Sequence, residues 1–508
     1  MGELSAKIRV DSELISGSVD NRMFGSFVEH LGRAIYGGVY QPDHASADES
    51  GFRTDVLDLV KDLRVPIIRY PGGNYVSAYK WEDAVGPVGQ RPRRMDLAWK
   101  AVEPNTVGLD EFYRWAKKAG SDVMMALNLG TRGIEEARNF VEYCNHPGGL
   151  YWSDLRRAHG REEPYNFRVW CLGNEMDGPW QIGCKTADEY GKLAGEVAKA
   201  LKLFDPTLEL VVCGSSGPGM PTFPQWEATV LEYCYEHVDY ISLHTYARKD
   251  GDSLSAFLAE SVRFENFIKA VESTVQFVKA KKRSRKDVKI SVDEWNVWYH
   301  SIGKESDDDL WQVGRRLLED VYTVEDALVV GCFLIVLLRH AATVRMACLA
   351  QLVNTIAPIL ADKEGPAWKQ TIYYPFLHCS LYARGEVLDT RIESPGYETE
   401  VYGFVPYIDG VAIHRPDARE IAFFSVNRHE TDTVRALVKL AGFSGLSVIE
   451  HVVISDRDPL ASNTREAPDR VSPGKDASTK CDGEVLRASL APLSWNMIRV
   501  SYRDCARN

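Results

Sequence analysis

Between about residue 20 and residue 380, short apolar runs alternate with stretches in which apolar side chains recur every three to four positions. That alternation is the signature of parallel strands joined by crossover helices. Eight runs read as strands, near Phe24 to Val28, Pro66 to Tyr70, Val123 to Asn128, Arg168 to Gly173, Leu210 to Gly214, Tyr240 to His244, Lys289 to Asp293 and Ala347 to Leu352. Between them, Phe52, Val56, Leu59, Val60 and Leu63 share one helical face, as do Tyr190, Leu193, Ala194, Val197, Leu201 and Phe204. Thr186 and Glu189 have the spacing of a capping box at the start of the second of these helices. Eight strand and helix units predict a (β/α)8 TIM barrel over residues 18–384, with long excursions such as Trp81 to Thr106 following some strands. A doubly wound open sheet is the alternative. It would normally carry a glycine-rich phosphate turn, and the stretch Gly214 to Gly219 lacks that spacing.

After about Gly385 the period changes from helical to two. Val434, Ala436, Val438 and Leu440 alternate with Thr433, Arg435 and Lys439, and Leu437 is the exception. Further strand-like runs at Ile421 to Val426, Leu446 to Val453 and Trp495 to Val500 predict a C-terminal antiparallel β-sandwich, jelly-roll-like, over residues 385–508. Residues 1–17, with the strand-like Lys7 to Val10, precede the barrel and are expected to join that sandwich. The segment Asp456 to Glu484, rich in Pro, Ser, Asp and Lys, reads as a long exposed loop. Two domains also suit a chain of 508 residues, since single cores stop growing near ~250–300.

A net charge of −12 disfavours phosphate backbones and anionic headgroups, so neither nucleic acid nor membrane is expected as a partner. The basic run Lys279 to Lys286 fits a solvated helix end, where cations complement the dipole. The N-terminus lacks the apolar core of a secretory signal, which points to the cytoplasm. The longest apolar stretch, Ala327 to Leu338, is shorter than a bilayer requires and reads as a buried helix. Ten cysteines without CxxC pairs read as reduced core thiols.

In a barrel of this kind, chemistry collects where strands end. The first strand ends at Glu29 and His30, the second at Arg69 with PGGN running to Asn74, and the fourth at Asn174 and Glu175. The sixth runs into His244 and Tyr246, the seventh into Asp293 and Glu294, and the eighth into Gln351. Glu175 and Glu294 follow strands with little other polarity, and two carboxyl groups ~5–5.5 Å apart are what a retaining glycosidase needs. Metal catalysis would call for HxH or HExxH, neither of which occurs among the twelve histidines, so no metal is expected. Ser216 lacks the closing glycine of a nucleophile elbow. Trp99, Trp180, Trp295, Trp298 and Tyr299 are candidates for stacking on a sugar, with Trp298, four residues past Glu294, the foremost.

The segments FGSFVEHLGRAIYGGVY from Phe24, IRYPGGNYVSAYKWEDAVGP from Ile68, WCLGNEMDGPWQIG from Trp170 and ISVDEWNVWYH from Ile290 resemble the α-L-arabinofuranosidases of glycoside hydrolase family 51, over almost the whole chain. The resemblance implies retaining hydrolysis of terminal non-reducing arabinofuranosyl groups from arabinan or arabinoxylan fragments, without cofactor, in a homo-oligomer that is often a hexamer. By position it makes Glu175 the acid/base and Glu294 the nucleophile. It places Glu29, Arg69, Asn74, Asn174, Tyr246 and Gln351 around the furanose ring. Ala247 departs from the family pattern, in which a second tyrosine is common. A glycosidase for another sugar, such as a β-xylosidase, and a noncatalytic sugar-binding barrel are the competing readings.

Overall fold

A strand covered on both faces must be apolar at consecutive positions, and the computed structural model of the chain, which describes residues 4–249, 251, 253–304 and 306–503, puts the eight apolar runs at its centre. The runs form the strands Gly25–Phe27, Ile67–Tyr70, Asp122–Ala126, Val169–Leu172, Glu209–Val212, Tyr240–Ala247, Lys289–Val297 and Val344–Ala350. Each lies parallel to its predecessor, and the eighth pairs with the first, so the sheet is a closed (β/α)8 barrel. Closure excludes the open doubly wound sheet.

Helices cover the barrel with the faces their periodicity sets. Ala187–Phe204 buries Tyr190, Ala194, Val197 and Leu201, and its capping box is present, with Thr186 Oγ1 accepting from Glu189 N. Thr54–Leu63 buries Val56, Leu57, Val60 and Leu63. Leu57 joins that face, Leu59 is half-buried against the same core, and Phe52, also buried, precedes the helix, whose first turn begins at Thr54. The apolar stretch forms Val324–Arg339, buried along its length between the barrel and the C-terminal sheet. Gly331 is required inside it: a Cβ there would lie 2.5 Å from the Trp495 indole. A helical glycine costs about 1 kcal/mol relative to alanine, and here it lets a tryptophan from the sheet lie against the helix.

Ten strands make up the second sheet, which curls around its own apolar core. Along Glu420–Asn427, Ile421 and Phe423 face that core, while Ala422, Phe424 and Val426 face the barrel's. This period-two division makes one sheet serve two hydrophobic layers. The N-terminal strand Ser5–Ser18 lies in it between Glu386–Glu393 and Val434–Ala441. The sandwich is therefore not wholly antiparallel, because Ser5–Ser18 runs parallel to Val434–Ala441. Hairpins force antiparallel pairing only between strands close in sequence, and these two are far apart.

Asp456 to Glu484 is not an exposed loop throughout. Gly474–Lys475 and Lys480–Asp482 join the sheet, and Ala461, Asn463 and Val471 are buried. Asn463 replaces ladder bonds with its side chain, donating to Lys369 O and Val471 O and accepting from Val471 N. Arg428 ties the layers together, donating to Leu258 O at 3.0 Å and to Ser261 Oγ and Asp409 Oδ2 at 2.9 Å each. No described helix is long and apolar enough to cross a membrane. Of the described cysteines, Cys184 is exposed and Cys481 half-buried, and the others are buried.

Candidate active site

The fourth and seventh strands deliver the two carboxylates to one barrel mouth by different local devices. After Leu172 the chain turns through Gly173 at φ +100° and Glu175 at φ +44°, left-handed conformations that end the strand abruptly and aim Glu175 across the opening. The seventh strand carries a bulge. Ser291 pairs with Ser242, but Glu294 rather than Asp293 pairs with His244, so one extra residue is inserted. Successive side chains of a regular strand point to opposite faces, yet here Asp293 and Glu294 both reach His244, at 3.0 and 3.6 Å.

His244 is the hub. One ring nitrogen meets Glu175 Oε1 at 2.9 Å and the other meets Asp293 Oδ1. An oxygen of Glu175, an oxygen of Glu294 and a nitrogen of His244 lie within 4.8 Å of one another. Arg69 Nη1 donates to Glu294 Oε1 at 2.6 Å, and Tyr246 Oη donates to Glu294 Oε2 at 2.9 Å. Arg69 Nη2 donates to Asn174 Oδ1 at 2.7 Å, leaving the Asn174 amide aimed toward Asn74 at 3.4 Å. The protein thus surrounds its buried carboxylates with its own cations.

On the opposite side of the mouth, Glu29 accepts from Tyr75 N and Trp99 Nε1 at 2.9 Å each, and from Gln351 Nε2 at 3.3 Å. The glycines of PGGN permit this approach, since a Cβ on Gly73 would stand 2.7 Å from Glu29 Oε2. A pocket of about 370 Å³ lies between the two sides, lined by Glu29, Asn74, Glu175, Tyr246, Glu294, Trp298 and Gln351 among others. Arg69 and Asn174 stand behind that lining, bonded to it.

Of the aromatic candidates, Trp99, Trp180 and Trp298 line the pocket. The Trp298 indole N–H is buried without a partner, so it is available to a bound hydroxyl. Trp180 donates to Glu175 Oε2 at 2.7 Å, so its indole edge is tied to that carboxyl group. Trp295 is fully buried against Phe333, and Tyr299 packs on His300 and bonds Asp326, so neither faces the pocket. Sequence reasoning passed over Asp293 as a partner of His244, and Leu318, Ile356 and Arg248 as lining. His244 was visible at a strand end, but no local pattern shows which carboxylates it joins.

Burial alone would pull the His244 imidazole down. The Glu294 charge and the bonds to Asp293 and Glu175 outweigh it and raise the ring to about 10. Burial pushes the Glu294 carboxyl upward, opposed by the His244 and Arg69 charges. Burial, against the Tyr75 N–H bond, lifts Glu29 to about 8. A base raised in the folded state stabilises it fully below the unfolded value near ~6.5, and the contribution is lost as pH rises through the folded value of about 10. Melting curves should therefore show the native protein losing stability between those limits more steeply than His244→Gln, which cannot be charged. Parallel curves for the two proteins would refute the cationic imidazole.

Comparison with known proteins adds a family to this geometry. A family model described as "Alpha-L-arabinofuranosidase 1 domain" matches residues 59–269, and one described as "Alpha-L-arabinofuranosidase C-terminal domain" matches residues 293–494. The chain is 54% identical to the intracellular exo-alpha-(1->5)-L-arabinofuranosidase 1 of Bacillus subtilis, over 98% of this chain and 99% of that protein. It is 52% identical to the protein of the same activity from Halalkalibacterium halodurans, over 98% of this chain and 100% of that one. A solved family 51 alpha-L-arabinofuranosidase from Bifidobacterium longum superposes with a TM-score of 0.94 at 44% identity, covering 98% of this chain and 100% of the other.

Proposed function

This chain belongs to the α-L-arabinofuranosidases of glycoside hydrolase family 51, and from that premise we propose that it releases terminal α-L-arabinofuranosyl groups from short arabino-oligosaccharides inside the cell by a retaining double displacement. The observation that carries the mechanism is the facing pair Glu175 and Glu294, with oxygens within 4.8 Å of one another across one pocket. Inverting enzymes hold their carboxyl groups ~6.5–9.5 Å apart to admit water, whereas retaining ones keep them at ~5–5.5 Å.

Glu294, steadied by Arg69 and Tyr246, attacks the anomeric carbon while Glu175 gives its proton to the departing oxygen. The bond to the leaving group breaks as the ester to Glu294 forms. Water, deprotonated by Glu175, then cleaves that ester and returns the original anomeric configuration. The charge balance suits these roles: Arg69 and a protonated His244 offset Asp293 and Glu294. Asn74 lines the pocket and is placed to bond a ring hydroxyl, with Asn174, fixed by Arg69, behind it. Glu29, raised to about 8 and so protonated at neutral pH, can donate one hydrogen bond as well as accept. The α-(1→5) linkage printed for the Bacillus and Halalkalibacterium relatives is our proposal for the natural bond.

Proton NMR of the first product from an aryl α-L-arabinofuranoside tests both sugar and stereochemistry. The expected first signal is α-L-arabinofuranose, ahead of mutarotation and ring exchange. An initial β-anomer would rule out the two-step reaction, and cleavage of the aryl β-D-xylopyranoside in preference would rule out the sugar.

A further inference from the structure

The pocket is not closed on the side of the proton donor. Hydroxyl-binding groups come from the first, second and eighth strands, whereas Glu175 stands on the fourth, beside the loop after the fifth that carries Ser216. Ser216, Tyr246 and Arg248 line the pocket and also a cleft of about 690 Å³ that continues from it. The guanidinium of Arg248, 5.6 Å from the Trp298 ring centre, marks the threshold between the two spaces.

The far wall of this cleft comes from the other domain. The hairpin Gly396–Thr399 and Gly403–Pro406 carries Val401 and Tyr402 at its tip. It is bolted to the barrel by two phenols: Tyr397 Oη donates to Ser255 O at 2.8 Å and Tyr402 Oη to Glu260 Oε1 at 2.6 Å. Glu260 pairs with Arg263 at 2.8 Å, and Arg263 donates to Tyr246 O at 2.9 Å, so the hairpin connects to the tyrosine that touches Glu294. Val401 is 77% exposed, an apolar side chain held at the edge of a cleft rather than in a core. The Arg263 and Glu260 charges neutralise each other, and Met220, Phe257 and Tyr402 supply apolar surface. Apolar faces, a self-neutralising ion pair and an Arg248 charge laid on the Trp298 ring suit a neutral carbohydrate better than an anionic ligand.

Resting on the reading above, we infer that this cleft holds the leaving-group portion of the substrate, a neutral oligosaccharide of further pentose units, and that the hairpin of the β-sandwich makes it sensitive to chain length. The leaving oxygen must face Glu175, and the way out past Glu175 leads along Ser216 and Arg248 into this cleft.

Hydrolysis of 4-nitrophenyl α-L-arabinofuranoside and of α-(1→5)-linked arabinobiose, arabinotriose and arabinotetraose tests the inference in the native protein, Val401→Trp and Met220→Trp. Neither residue lines the catalytic pocket. The native kcat/KM is expected to rise about tenfold from biose to tetraose, which corresponds to about 1.4 kcal/mol. Each variant should lose that rise while cleaving the aryl substrate within about twofold of the native rate, which also shows that it folds. A native protein indifferent to length, or variants that keep its length dependence, would overturn the inference. Failure of the native protein on the aryl arabinofuranoside would instead strike at the proposed activity itself.

Discussion

Replacing Glu294 by alanine is expected to abolish turnover on every arabinofuranoside, aryl or oligomeric, lowering kcat by about 10⁴-fold or more. No other carboxylate can take its place. Asp293 is engaged by His244 and Arg69 behind it, Glu29 is held by Tyr75 and Trp99 on the other wall, and Glu175 is held by His244 and Trp180. The loss should not depend on the leaving group, because without a nucleophile the first bond to the anomeric carbon cannot form. The alanine variant also leaves Arg69 and His244 as buried cations with one anion fewer, so the control is a melting curve together with a second variant, Glu294→Gln, which keeps the shape. Azide should restore some aryl cleavage by entering the vacated space and giving a glycosyl azide of inverted configuration. Ordinary hydrolysis by either variant would remove Glu294 from the role of nucleophile.

Glu175→Ala should discriminate among leaving groups where Glu294→Ala does not. An alkoxide departing from another sugar needs a proton, and losing its donor is expected to cost about 10²–10⁴-fold. A nitrophenolate departs without one, so aryl arabinofuranosides should suffer far less in bond cleavage. Their turnover then becomes limited by hydrolysis of the ester, for which Glu175 would have been the base. An initial burst of nitrophenol and acceleration by azide, here with retained configuration, are the expected signatures. Equal losses on aryl and sugar leaving groups, with no response to azide, would show that the proton comes from elsewhere.

The barrel and its mouth were legible because their signals are local. A parallel strand buried on both faces has to be apolar in consecutive positions, and a helix on a barrel has to carry an apolar stripe, so the eight runs and the faces of Thr54–Leu63 and Ala187–Phe204 could be read from a single chain. Polar residues at the ends of such strands stand out against their background, which is how Glu29, Arg69, Asn174, Glu175, Tyr246, Glu294 and Gln351 were found. The sandwich was legible by its period of two. The structured part of Asp456 to Glu484 was not, because Asn463 satisfies that segment with side-chain bonds that leave no periodic trace.

By itself, then, the sequence determined which side chains reach the mouth of the barrel, since strand ends and apolar runs are properties of consecutive residues. Only the tertiary structure decided which of them act on one another. The bulge in Lys289–Val297 turns neighbouring carboxylates, which a regular strand would point apart, toward the same imidazole. Closure of the barrel brings Arg69 to Glu294 and Asn174, and a hairpin from the far end of the chain walls the cleft beyond them. Such pairings depend on distances between residues 49 to 225 positions apart, and those distances exist only once the sheet has closed.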